Sequence, residues 1–323
     1  MKLKFVTILI ALFCIENNYA QHTDVINSNR PGESFSAFAV GKKVLQVESG
    51  INYLNDKHSI LDYTANGFGV DFVTRYGFFK EELEALLEIN YQNDTYKTDL
   101  GSIGRTGVKS ATLGAKYLVY DPYKNRKDKV DIYSWKANHR FKWNSLIPAV
   151  AVYAGANLNF SDNPFLPSTD KLDVISPKVM VVTQNQFAGG YVFVTNIFAD
   201  RISTNYQTME YVITLTKGFN EQWSGFIENK GIQSDYYADL IFRTGAAYLL
   251  SDNLQLDASI SKNLKDTPSI FYCGIGISWR NTENYEDVVL KAPKDKSSKK
   301  KSKKDKEKEK TKKRLDEVEL TKP

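Results

Sequence analysis

The chain has three histidines, His22, His58 and His139, and a cysteine, Cys273, well away from all of them. Nucleophilic catalysis needs a nucleophile and a base within hydrogen-bond reach, and a metal centre needs ligands at short, regular spacing. The histidines fall in a polar lead-in and in loops, at irregular intervals. Gly67-Phe68-Gly69 lacks the lysine and following helix of a phosphate loop. The reading is therefore no catalytic residue, no metal, no cofactor and no enzyme.

Charge at alternating positions is the pattern that does recur. Glu48, Asp71, Arg75, Glu84, Glu88, Lys116, Glu210, Asp239, Arg243 and Asp257 each fall on the face opposite the apolar one. Inside a tube, Arg75, Lys116 and Arg243 opposite Glu48, Glu84 and Glu88 could set a transverse field across a narrow pore. The same groups could instead neutralise one another and close it. Both readings stay open at the level of sequence.

The elements that position these charges are strands. Leu45, Val47, Ile51 and Tyr53 alternate with Gln46, Glu48 and Asn52, a period of two with one oily face. Phe68, Val70, Phe72, Tyr76 and Phe78 stand against Asp71 and Arg75. Leu83, Ala85, Leu87, Ile89 and Tyr91 stand against Glu84, Glu88 and Asn90. Ala111 to Val119 and Val150 to Leu158 repeat the pattern. Further strands are expected near 177–186, 190–199, 208–217, 222–230, 238–250 and 254–262. The last, Phe271 to Arg280, puts Phe271, Cys273, Ile275, Ile277 and Trp279 on one face, and should pair with 43–55.

About twelve strands, an even number, return both chain ends to one side of a membrane. A strand in hydrocarbon must pair every N–H and C=O, so the sheet has to close. The fold class expected is all-β, a closed antiparallel transmembrane β-barrel. A secreted β-sandwich would bury the same oily faces, but it would not need the aromatic residues Tyr53, Tyr76, Phe78, Tyr91 and Trp279 near strand ends, where a membrane girdle belongs. Links 93–107 and 160–175 read as long loops, and 79–81, 218–221 and 251–253 as short turns. The exception is 121–144, long but on the short-turn side, with Tyr133, Trp135, Phe141 and Trp143.

Residues 1–20 have the basic start, apolar run and small Ala20 of a signal peptide. Cys14 lies within the apolar run behind bulky Phe13, which favours a discarded cysteine over a lipidated one. Residues 21–42 form a polar lead-in, 43–281 the barrel and 282–323 a basic low-complexity tail. From Lys291 onward the tail holds 15 Lys/Arg against 7 Asp/Glu, so the overall +5 masks a mildly acidic body. Outside the inner membrane nucleic acid is not a plausible partner. The expected partners are outer-membrane lipid for the barrel, and anionic lipid, peptidoglycan or an acidic periplasmic protein for the tail.

The lead-in Asn29-Arg30-Pro31-Gly32-Glu33-Ser34, followed by Val44-Leu45-Gln46-Val47-Glu48-Ser49-Gly50, resembles the opening of a family of Gram-negative outer-membrane barrels. These are labelled transporters or MetA-pathway of phenol degradation proteins. The resemblance extends over about residues 26–281 and implies a porin-like outer-membrane channel with both termini in the periplasm. The lysine-rich tail departs from the simplest form of that pattern, in which the chain stops at the terminal aromatic. The expected function is passage of small polar solutes. The alternative is a non-conducting barrel that serves as an interaction or assembly subunit through the 121–144 link and the tail.

Overall fold

The computed structural model describes residues 25–124, 143–159, 163–165, 174–283 and 285. The signal segment, most of the 121–144 link and the basic tail lie outside the described residues. Twelve strands run in order: β1 (Leu45–His58), β2 (Tyr63–Gly77), β3 (Leu83–Thr98), β4 (Gly101–Tyr120), β5 (Ala149–Leu158), β6 (Ile175–Phe187), β7 (Tyr191–Asp200), β8 (Thr208–Gly218), β9 (Trp223–Ser234), β10 (Ala238–Ser251), β11 (Leu254–Asn263) and β12 (Ser269–Asn281). Each pairs antiparallel with its sequence neighbours, and β1 pairs with β12 to close the barrel. The seam register sets Leu45 beside Asn281 and Ile51 beside Ile275.

Two rims follow from this order. The terminal rim carries the start of β1, the end of β12 and the links 78–82, 121–148, 188–190, 219–222 and 252–253. The distal rim carries 59–62, 99–100, 159–174, 201–207, 235–237 and 264–268. The 121–148 link contains a short 3-10 turn, Trp143–Leu146. It meets the wall where the Gln186 amide donates to the Tyr123 hydroxyl at 2.7 Å.

The outer face is apolar because alternate residues of every strand must meet hydrocarbon. Ile51, Phe68, Leu113, Ile197, Ile227 and Ile275 all point outward and are exposed. On β1 the apolar set runs from Leu45 to Tyr53, roughly 20 Å along the axis for a strand tilted about 40°. Past Tyr53 the outward positions turn polar at Asn55, Asn66 and Asn93. Tyr53 and Tyr91 lie at that boundary, with Phe68 between their strands packed edge-on to Tyr53 at 5.7 Å. Tyr76 and Trp279 lie at the terminal rim, beside exposed Phe79, Phe219 and Trp223. Phe78 sits in the 78–82 turn against Phe79.

Residues 93–107, expected as a long loop, are strand. β3 and β4 continue past the apolar belt to a tight turn, with Thr98 paired to Gly101. Their outward residues there, among them Asn93, Thr95 and Lys97, are polar. Hydrophobic alternation stops where the lipid stops, whereas the hydrogen-bonded ladder does not, so periodicity alone misplaces the boundary.

The inner face is not uniformly polar. Leu86, Leu118, Ala149, Ala151, Tyr153, Met180, Val182 and Val194 point inward from β3 to β7 and enclose Ala37 and Phe38 of the lead-in. The core of this protein therefore lies inside the barrel. Burying a side chain such as Phe38 contributes about 1.5–3 kcal/mol.

Candidate functional site

Residues 25–44 run inside the lumen. Ile26, Lys43 and Val44 bond to the backbone of Asp252 and Gly77, and between them wall side chains satisfy backbone groups of the lead-in. Alternation along β1 aims Gln46, Glu48 and Gly50 inward, and each meets the lead-in. The Gln46 amide donates to the Asn27 carbonyl at 3.1 Å. The Glu48 carboxylate accepts from the Asn29 and Arg30 amides at 3.2 Å and from the Ser28 hydroxyl at 3.1 Å. Gly50 leaves room for the Arg30 guanidinium, which lies against it and against Gly276. The motif Gln46-x-Glu48-x-Gly50 is thus the wall half of a lock, and Asn27 to Arg30 is the other half.

A second group of charges seals the β1–β4 side. Arg75 on β2 reaches Glu84 on β3 at 3.1 Å and Glu48 on β1 at 3.5 Å. Lys116 on β4 pairs with Glu84 at 2.7 Å. All four side chains are fully buried. Arg75 also donates to the Asn27 and Phe38 carbonyls at 2.8 and 3.2 Å, and Lys116 to the Phe38 carbonyl at 3.1 Å. Val40 donates its amide to Glu84 at 2.9 Å. These charges sit on adjacent strands rather than across the lumen, so here they neutralise one another around the lead-in.

The opposite wall holds the middle of the lead-in. Gln184 accepts from Ser36 Oγ and the Ala37 amide, both at 2.9 Å. Asn196 brackets Phe35, accepting from its amide at 2.6 Å and donating to its carbonyl at 3.1 Å. Glu228 accepts the Glu33 amide at 3.0 Å and Thr214 Oγ1 at 2.8 Å. The Glu33 carboxylate pairs with Lys230 at 2.9 Å and with Arg243. Burial pushes the Glu33 carboxyl up, but the Arg243 guanidinium and Lys230 ammonium outweigh it and hold it well below the usual carboxylate range.

The other expected lumen charges also point inward. Asp71 and Asp257 flank Arg30 at 3.7 and 3.2 Å. Glu210 pairs with Lys230 at 2.9 Å, and Glu88 lies 3.9 Å from Lys178. Asp239 accepts from Asn263 at 2.7 Å near the distal rim, away from the lead-in. Sequence reasoning missed Arg30, Glu33, Gln184, Asn196, Glu228 and Lys230 as lumen groups. The signal for the first two was the motif itself, whose polar residues belonged to no strand and so needed a partner elsewhere. A cleft of about 350 Å³ remains between the lead-in and the wall of β6 to β11, edged by Gln184, Val194, Thr216, Phe226, Ala247 and Gln255.

Residues 28–281 match the family described as "Putative MetA-pathway of phenol degradation". The chain belongs to this family. The match starts at Ser28, so the family pattern includes the lead-in as well as the wall. No curated protein sequence matches the chain. Among solved structures it is similar to an outer-membrane channel from Pseudomonas putida F1, at 10% identity and TM-score 0.49, covering 79% of this chain and 100% of that one. It is also similar to the Pseudomonas putida toluene transporter TodX, at 8% identity and TM-score 0.39, covering 75% and 90%. A third is the KdgM porin, at 7% identity and TM-score 0.41, covering 71% and 98%. This family member is an outer-membrane-type barrel whose own N-terminal segment fills much of its lumen.

Proposed function

We propose that the protein is an outer-membrane channel for small solutes, held narrow by residues 25–44. One observation carries this reading: the lead-in occupies the lumen, held by polar and apolar wall side chains, and leaves a cleft of about 350 Å³ beside it. The barrel side of the cleft offers amides, hydroxyls and apolar side chains, and Arg30 of the lead-in lines it too, which suits small polar solutes. In this reading the terminal rim is the periplasmic one; its short turns 188–190 and 252–253 support that, and the long link 121–148 on the same rim is its exception.

Conductance in planar bilayers tests the reading. The intact refolded protein should give small steps, and a variant lacking residues 25–40 should give steps severalfold larger. A deletion variant that folds, by heat-modifiable gel mobility, yet stays silent would overturn the channel and favour a non-conducting interaction subunit.

A further inference from the structure

Arg30 lies in a slot built for a planar cation. Four inward positions on adjacent strands stand in one register row: Asp71 on β2 opposite Gly50 on β1, Gly50 opposite Gly276 on β12, and Gly276 opposite Asp257 on β11. The two glycines form the floor. A Cβ on Gly50 would come within 2.2 Å of the Arg30 guanidinium, and one on Gly276 within 2.3 Å. The two carboxylates form the ends. Asp257 is fully buried and receives Arg30 Nε and Nη2 at 3.3 and 3.2 Å. Asp71 retains 35% exposure of its side chain, which is where the slot opens to the rest of the lumen. With Arg30 withdrawn, Asp257 would be a buried carboxylate without its guanidinium, a costly state that a replacement cation relieves.

We propose that this row is a guanidinium-binding site, with Arg30 as its tethered resident, and that solutes bearing a guanidinium group take the slot when the lead-in leaves. A floor of two glycines and the Asp257 carboxylate, which takes two N–H groups of one guanidinium while Asp71 adds charge 3.7 Å away, select a planar fork of N–H donors over a compact ammonium. Binding there removes the Arg30 anchor from the lead-in and so favours the wider lumen. The slot exists whether or not the barrel conducts; its role in opening rests on the channel reading. Because Arg30 is tethered, its effective concentration is of millimolar order, so a free competitor must match that level.

Methylguanidinium is the probe, with tetramethylammonium as the control, read on refolded protein by unfolding midpoint and by bilayer conductance. Arg30→Ala should conduct severalfold more than the parent and unfold more readily. With no tethered competitor left, methylguanidinium at roughly millimolar concentration, the level the tether would set, should raise its midpoint; tetramethylammonium should not. Arg30→Ala combined with Asp257→Asn should lose the response. No shift with Arg30→Ala, or an equal shift in the double variant, would overturn the site. A midpoint shift that needs Asp257 in a protein that never conducts would keep the site and remove its role in opening. If Arg30→Ala does not refold, the unaltered protein decides: methylguanidinium should widen its conductance steps, and an equal effect of tetramethylammonium counts against the slot.

Discussion

Gly50 and Gly276 face each other across the β1–β12 ladder, and the space left by their missing side chains is filled by the guanidinium of Arg30. The barrel seam and the lumen plug are therefore one structure. Gly50→Ala should expel Arg30 and enlarge conductance severalfold, whereas Gly69→Ala should not. Gly69 also points inward, but a Cβ there meets its nearest neighbour, the Tyr91 carbonyl, at an ordinary 3.5 Å. Equal single-channel records for the two variants would refute this role for the pair.

The buried Arg75–Glu84–Lys116 group makes a prediction about stability. Lys116→Met leaves Glu84 facing Arg75 alone, and breaking a buried pair costs about 3–5 kcal/mol. The double variant Lys116→Met, Glu84→Gln should cost less than the sum of the two single changes, since it leaves Arg75 paired with Glu48 and strands no charge. Urea unfolding of barrels refolded into vesicles measures both.

The outer face predicts a second loss. Ile275 lies in the middle of the apolar belt and is 66% exposed. Ile275→Arg should destabilise the bilayer-inserted barrel by about 2–4 kcal/mol. Lys262, outward on β11 near the distal rim, already carries a charge, so Lys262→Arg should be neutral in the same assay.

Mild acid should not release the lead-in through Glu33. Burial raises its carboxyl, but Arg243 and Lys230 hold it well below the ordinary range. A depressed carboxylate contributes stability that is complete above its unfolded pKa and is lost only as pH falls through the folded one. Conductance as limited by Glu33 should therefore be the same at pH 5 and pH 7, pH values about one to three units above the ordinary carboxylate range. Glu33→Gln, which removes the anchor, should enlarge it at both.

Glu81 in the 78–82 turn has the opposite sign. Burial raises its pKa, and neighbouring Glu82 adds to this against the Lys42 amide it accepts at 3.1 Å. A raised carboxylate contributes stability that is complete below its unfolded pKa and is lost as pH rises through the folded one. Glu81→Gln should thus stabilise the protein at neutral pH and make no difference in acid. Unfolding midpoints across that range would show it, and a loss at neutral pH would contradict it.

Sequence alone determined the wall. A period of two with apolar residues on one face admits few alternatives once every backbone group must be paired in lipid, and the seam of Leu45–His58 with Ser269–Asn281 follows from closure. It also marked Asn29 to Ser34 and Gln46 to Gly50 as a linked motif, without showing that the two halves touch. They meet where Glu48 accepts the Asn29 and Arg30 amides, and the further anchor of Arg30 on Asp257 spans 227 positions, which no local pattern encodes. Alternation puts Leu86 and Ala151 on the inner face with Glu84 and Glu88, but could not tell that they and Val182 pack there with Phe38. Whether the inner charges oppose or cancel depended on which strands stand side by side. Tertiary structure settled that by putting Arg75 and Lys116 beside Glu84 and leaving Arg243 to the lead-in's Glu33.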